Sequence, residues 1–366
     1  MLTKGDDYPL HQTPEPMAYS GSDRNFYDRY FFNGYSADGS LFFAAAMGIY
    51  PHLDVIDASF CVLVDGVQHN VRASRRLGSE RLDLHAGPIR VEIVEPLKSL
   101  RIVVADSDAP IAADVIFTAR HDAIEEPRFI RRNGPRMFMD YTRMTQNGGW
   151  SGTITVDGTE HTVSPDSHIG TRDRSWGIRP VGAGDSQPPP SGNLPQFYWL
   201  WTPLNFPDHA TFFHSNDDGV GVPWNRRAVI APTGGGEAEE FDDVVYDIRY
   251  RSGTRRVERL QAFLCNDRDI EIIVEPQGLV FHMSGLGYMH PQWGHGMDHG
   301  DEEAAYDTIV TADAEWANPL HIHIQAFTPA VLRIDGKEHR GHGVLEQLLM
   351  GPHGASGLTG LLDPAR

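Results

Sequence analysis

The chain has 366 residues, more than a single hydrophobic core usually supports, so two domains are expected. Its formal net charge of −19 argues against a nucleic-acid partner, whose phosphates call for a basic surface. The 40% hydrophobic content is a globular mix, and no apolar run is long enough to span a bilayer.

Residues 1–24 read as an extended, polar, proline-broken lead-in. The opening MLTKGDDYPLHQTPEP has no apolar h-region, so a cytoplasmic location is expected. Short runs of β-branched and aromatic residues follow: Phe60–Val64, Ile89–Val94, Ser99–Val104, Ala113–Thr118, Gly152–Val156, Ala228–Ala231, Ile270–Val274 and Leu320–Phe327. They are strand-length, they often alternate, and Gly, Pro, Asn and Asp break them. Cys61 and Cys265 are the only cysteines. Their distance suits a reducing compartment, and both read as small buried apolar residues.

Three strand-turn units carry Asp-Gly between apolar strands: Val64–His69, Val156–His161 and Ile334–His339. Asp-Gly is the signature of a type I′ hairpin, whose two turn residues need positive φ. The second and third units lie about half a chain apart, which fits two homologous β-domains. The Pro/Gly/Ser-rich Gly182–Pro195 is the expected linker. It divides an N-terminal domain at 25–185 from a C-terminal domain at 186–366.

Just before the linker, His168–Arg179 (HIGTRDRSWGIR) packs His168, Arg172, Asp173, Arg174, Trp176 and Arg179 together. In an extended strand Thr171, Asp173 and Ser175 share one face, and Arg172, Arg174 and Trp176 the other. Three neighbouring arginines would lower the pKa of Asp173, whereas burial inside an apolar barrel would raise it toward general-acid use. Trp176 could offer a π-face to a developing cation. The competing reading is an Arg–Asp ion-pair network clamping the two domains.

After the linker, Phe197, Trp199 and Trp201 alternate onto one face of an aromatic band that continues to Phe206. They are either core or the wall of a pocket for a flat or polyene-like ligand. Trp224 follows on a neighbouring stretch. The loop Gly285–Glu303 gathers Tyr288, His290, Trp293, His295, Asp298, His299 and Asp301. It could line a pocket mouth, ligate a metal through His290, His295 and His299, or form a solvated acidic surface. His321 and His323 alternate on an expected strand and would share a face. Gly343–Met350 (GVLEQLLM) is the clearest helix candidate. P-loop, Rossmann, HExxH and GxSxG signatures are absent, so nucleotide, zinc-protease and serine-hydrolase chemistries lose their support.

Asp173-Arg174-Ser175-Trp176-Gly177 is similar to the Asp-Arg/His-x-Trp-Gly signature of a two-domain, lipocalin-like family. That family includes carotenoid 1,2-hydratase (hydroxyneurosporene synthase), the AttH-like proteins and the fungal Diels–Alderases. The stretches Gly285–Gly296 and Tyr35–Asp65 resemble an uncharacterised bacterial branch of the group. In one departure, Thr171 stands two residues before the Asp, where the hydratase-type signature carries Trp. The resemblance implies an all-β fold of two lipocalin-like antiparallel barrels packed together, with few short helices. It also implies chemistry without organic cofactor or metal, on hydrophobic substrates held between or inside the barrels.

The resulting expectation is a hydratase, isomerase or cyclase acting on a hydrophobic isoprenoid or aromatic small molecule. Asp173 would be the general acid, with His168 or His290 activating water or taking up a proton. Trp176 and Trp199 would stabilise positive charge and shape the pocket, with Trp201, Tyr288, Trp293, His295 and Trp224 lining it. Arg172 and Arg174 would orient the acid or bind a polar substrate end. The alternatives are a non-catalytic carrier of a hydrophobic ligand and a His-dependent metalloenzyme. Neither nucleic acid nor a membrane span is expected as a partner; a homodimer is an open alternative.

Overall fold

The computed structural model describes residues 1–105, 107–184, 186–187, 195–265 and 269–365. Residues 188–194 and residue 185, and so most of the expected linker and domain boundary, lie outside the described residues, as does the Cys265 side chain.

The first run of strands is β1 (Phe26–Ser36), β2 (Leu41–Tyr50), β3 (Val55–Val64), β4 (Val67–Arg76), β5 (His85–Ala86), β6 (Ile89–Glu95), β7 (Ser99–Val104), β8 (Ile111–Ala119), β9 (Ile124–Glu125), β10 (Phe129–Asn133), β11 (Arg136–Val156), β12 (Thr159–Val163) and β13 (His168–Ile178). The second is β14 (Phe197–Asn205), β15 (His209–Asp217), β16 (Pro223–Pro232), β17 (Glu239–Phe241), β18 (Val244–Tyr250), β19 (Val257–Cys265), β20 (Asp269–Val274), β21 (Val280–His282), β22 (Glu302–Val310), β23 (Ile324–Ile334) and β24 (Lys337–Met350). They build two antiparallel sheets, each rolled into a nearly closed barrel, and the all-β expectation holds. Among the described residues the helices are short 3₁₀ turns, and none is long and apolar enough to cross a membrane.

The two sheets repeat one topology. In the first, the opening strand β1 pairs with the closing strand β13, which pairs with β11. In the second, β14 pairs with β24, which pairs with β23. A hairpin series runs outward on each side of that seam. One strand crosses over: β22 pairs with β4 and extends the first sheet from the second half of the chain.

All three Asp-Gly units form the expected turns. Asp65, Asp157 and Asp335 have φ of 49°, 49° and 52°, and the following glycines 78°, 77° and 72°. The helix expectation at Gly343–Met350 is corrected, because this segment is the second half of β24, flanked by β14 and β23. A short apolar run suits either conformation, and ladders on both edges settle it as strand. His321 and His323 also precede their strand, which starts at Ile324.

Each barrel has its own core. In the first, Trp150 meets Phe43 and Phe117 edge-on at centroid distances of 5.0 and 5.3 Å and donates its indole N–H to the Asn33 carbonyl at 2.9 Å. A separate cluster of Phe31, Tyr35, Phe42, Trp199, Trp201, Phe281 and Phe327 lies between the barrels, where Phe42 stacks on Phe281 at 5.0 Å. Burial of several aromatic rings here, at roughly 2–3 kcal/mol each, docks the barrels firmly.

Candidate active site

Beside that aromatic cluster, between the barrels, lies a cavity of about 1030 Å³. This is the upper end of the range typical of small-molecule sites. Tyr27 and Phe31 of β1, Tyr141 and Arg143 of β11, and Asp173 and Ser175 of β13 form the first-barrel wall. Phe197 and Trp199 of β14, Trp224 of β16, and Glu346 and Leu348 of β24 form the opposite one. The loop carrying Tyr288, His290 and His295 closes the floor.

Strand alternation puts Asp173 on this wall. Thr171, Asp173 and Ser175 share the inter-barrel face, opposite Asn33, Phe31 and Arg29 of β1. The Asp173 carboxyl is half-buried, has no hydrogen-bond or ion-pair partner among the described residues, and faces the cavity. Burial raises its pKa to about 7; Arg143 opposes that rise, Glu126 and Glu346 add to it, and Arg29 opposes it weakly.

The arginines that act most on Asp173, Arg143 and Arg29, are therefore not its sequence neighbours, which corrects the expectation of three adjacent guanidiniums. Arg172 points into the first barrel, over the Phe117 ring, and donates to the Gln146 side chain at 2.6 and 2.9 Å. Arg174 lies 4.0 Å from the Tyr30 ring centroid and bonds Asp28 at 2.7 Å. Trp176 is on that same face, 40% exposed and outside the cavity.

Two charged clusters back the wall. Arg143 is buried beneath Trp199, Phe129 and Trp201, its guanidinium carbon 4.9–5.1 Å from their ring centroids. It pairs with the buried Glu126, which also accepts from the Thr145 hydroxyl and lies 3.7 Å from His214. Burial pushes Glu126 upward, but Arg143 and His214 outweigh it and leave the pKa lowered. Across the cavity, Glu346 accepts from Trp199 Nε1 at 2.8 Å, His323 Nε2 at 2.9 Å and Gln325 Nε2 at 2.6 Å. These hydrogen bonds overcome burial and keep Glu346 ionised. Arg143 and Glu346 escaped the sequence reading, although each interrupts a strand-like run with a charge on the face that alternation aims between the barrels.

The remaining expected residues divide. His290, His295, Tyr288, Trp199 and Trp224 line the cavity, and Arg131 covers the Trp224 ring at 5.2 Å. Trp201 is buried one layer behind, its indole nitrogen unpartnered. Trp293 stacks on His299 at 3.8 Å, and His168 sits at the far end of β13, bonded to Ser167 at 2.9 Å. Burial lowers the pKa of His168, as it does for His290, where Arg72 adds to the effect.

The floor loop is built around a glycine. Gly287 has φ of 93°, and a Cβ there would sit 2.6 Å from the Trp293 carbonyl. The turn brings His295 between Arg29 and Arg179. Burial and the two guanidiniums hold the His295 pKa well below its usual value, so the ring is neutral. Two fixed cations beside it disfavour a metal, and no group of three or more His, Cys, Asp or Glu side chains suited to a metal occurs among the described residues. The His290, His295 and His299 metal alternative is set aside on that donor geometry.

A family profile described as a family of unknown function, DUF8625, matches residues 2–359. The chain belongs to DUF8625. No curated protein sequence matches this DUF8625 member. The solved structure of a putative AttH from Nitrosomonas europaea aligns over 93% of this chain and 98% of its own, with a TM-score of 0.55 at 13% identity. Kievitone hydratase from Nectria haematococca aligns over 88% of each chain, with a TM-score of 0.47 at 12% identity. CghA aligns over 93% of this chain and 96% of its own, with a TM-score of 0.49 at 10% identity. The AttH likeness shows that the DUF8625 chain has the two-barrel, lipocalin-like fold that the Asp173–Gly177 motif suggests.

Proposed function

We propose that this DUF8625 member is an acid–base enzyme acting on an apolar isoprenoid or aromatic small molecule held between its barrels, with Asp173 as the proton donor. The observation that carries this reading is the Asp173 carboxyl: unpartnered, facing a large aromatic cavity, with a pKa raised to about 7. An acid with a pKa near the working pH is half in its donating form and returns a useful base.

In the first step the Asp173 O–H gives its proton to one carbon of a C=C bond, and the π pair becomes the new C–H bond. The other carbon becomes a cation and Asp173 a carboxylate. Arg143 eases that ionisation electrostatically, the face of Trp199 shields the cation, and the Glu346 carboxylate opposes its charge. The cation then loses a proton from a neighbouring carbon to Asp173, giving an isomer. Alternatively it is captured by water or by a second C=C, with the surplus proton returning to Asp173. Each route restores the acid. His290, on the cavity wall with its Nδ1 accepting from the Trp293 amide at 2.9 Å, is a candidate to position water.

A carrier function needs the same cavity but no acid. Mass spectrometry of apolar molecules that co-purify with the protein supplies candidate substrates. Incubation with each, comparing wild type with Asp173→Asn, separates the two functions. Conversion by wild type alone, with both proteins equally folded, supports the enzyme. Unchanged ligand with wild type, or equal conversion by both, overturns the role of Asp173.

A further inference from the structure

The cavity floor holds a cation with no direct ion-pair partner among the described residues: the buried Asp57 carboxyl acts on Arg179 and on Arg29 only from beyond contact distance. Arg179 lines the cavity and has no carboxylate within ion-pairing distance among the described residues. Among the described residues the guanidinium makes one hydrogen bond, from NH2 to the neutral His295 Nδ1 at 3.1 Å. Arg29 competes for that same nitrogen at 2.7 Å. His295 Nε2 donates to the Leu286 carbonyl at 3.0 Å, so the ring has no second acceptor for either guanidinium. Nε of Arg179 is buried without a partner. The group lies over Tyr27, 4.4 Å from the ring centroid, and the Tyr27 hydroxyl is likewise buried, with the Ser175 side chain beside it and no well-formed hydrogen bond.

A guanidinium cannot shed its proton and always presents five N–H donors. Leaving its half-buried charge without a carboxylate in contact is unfavourable, and an incoming anion would offset that cost. Its planar fork matches a carboxylate, which it can bind through two parallel hydrogen bonds. The cavity lining beside it, including Tyr27, Tyr288, Val181 and the neutral His295, supplies no carboxylate.

From this geometry we infer that Arg179, with the Tyr27 hydroxyl, forms a subsite for a carboxylate, so that the ligand is an apolar organic acid. Its acid group docks at Arg179 and its hydrocarbon body extends along β13 toward Asp173. Arg179 lies six positions after Asp173, about 20 Å of extended-chain rise, part of which the arginine side chain spans. The polar-end role expected of Arg172 and Arg174 thus passes to Arg179, which strand alternation leaves on the cavity side. This inference rests on the inter-barrel cavity being the ligand site. Because its readout is equilibrium binding, it stands apart from whether Asp173 catalyses.

The test uses cis-parinaric acid, a fluorescent polyene carboxylate, and its methyl ester, titrated into the full-length protein. Wild type should bind the acid at least tenfold more tightly than the ester. Arg179→Gln should abolish that preference by weakening the acid alone, Arg179→Lys should keep part of it, and Tyr27→Phe should lower acid affinity a few-fold. Should Arg179→Gln fail to fold, the wild-type ratio together with Tyr27→Phe decides the matter. Equal binding of acid and ester by wild type, or equal weakening of both by Arg179→Gln, overturns the carboxylate subsite and leaves the cavity reading intact. Binding of neither probe overturns both.

Discussion

Arg143 lies diagonal to Asp173 across the β11–β13 ladder, because Arg143 is opposite Ser175 and Thr145 is opposite Asp173. Diagonal neighbours on one face are within reach of long side chains. Arg143 is also committed to Glu126, so Asp173 feels a cation whose charge is largely spent. That division of charge lets burial raise the Asp173 pKa to about 7.

The acid role has a defined pH signature. Activity should be level below neutrality and fall about tenfold per pH unit above about 7, as the donor proton is lost. Asp173→Asn should lower turnover at least a hundredfold on the plateau below pH 7 and remove the alkaline limb. A pH–rate profile from 5 to 9 checks both, and a limb that persists unchanged in the variant would assign it elsewhere.

The same shift bears on stability. The folded-state pKa is raised above the ordinary 3.8, so between about pH 4 and 7 the native state holds a proton that the unfolded chain has released. The carboxyl therefore costs stability progressively as pH rises through that window, and the full cost is present above it. Asp173→Asn should melt like wild type near pH 4 and should be more stable at pH 8, by roughly 1–3 kcal/mol. Thermal unfolding at the two pH values measures the difference.

Glu126→Gln separates structure from tuning. It leaves Arg143 buried without its carboxylate, which should destabilise the fold by about 3–5 kcal/mol. It also removes a negative charge that raises the Asp173 pKa and frees Arg143 to lower it. In protein that remains folded, the alkaline limb of the pH–rate profile should move to lower pH. A merely structural role for Glu126 would reduce activity without moving the limb.

Gly177 permits the close pass of β11. Its φ is 139°, and a Cβ there would lie 2.3 Å from the Asp140 carbonyl and 2.6 Å from the Tyr141 Cα. Gly177→Ala should cost upward of about 2 kcal/mol and disturb the register that aligns Arg143 with Asp173. By contrast Trp176→Ala, on the solvent side, should change stability by less than about 1 kcal/mol and leave parinaric acid binding unaltered. Chemical denaturation and the fluorescence titration test the pair.

Much of the architecture was legible in the residues. Period-two alternation marked the strands, and Asp-Gly marked three turns, because only residues tolerant of positive φ can make them. Alternation also placed Asp173 opposite in sense to Arg172, Arg174 and Trp176, and grouped Trp199 with Phe197. These are local properties of a pleated chain, so local sequence determines them. The Gly343–Met350 run was ambiguous for the same reason: its conformation depends on strands that come from elsewhere in the chain.

What acts on Asp173 is not local. Arg143 and Glu126 lie thirty or more residues away in the chain and reach the acid through the β11–β13 register; Glu346 reaches it through the docking of the second barrel. The cavity itself belongs to neither barrel and exists only where their outer faces meet. Sequence alone therefore determined which face carries the carboxyl. Tertiary structure decided its neighbours, its pKa and the space before it, since electrostatic and packing partners are set by distance in space rather than along the chain.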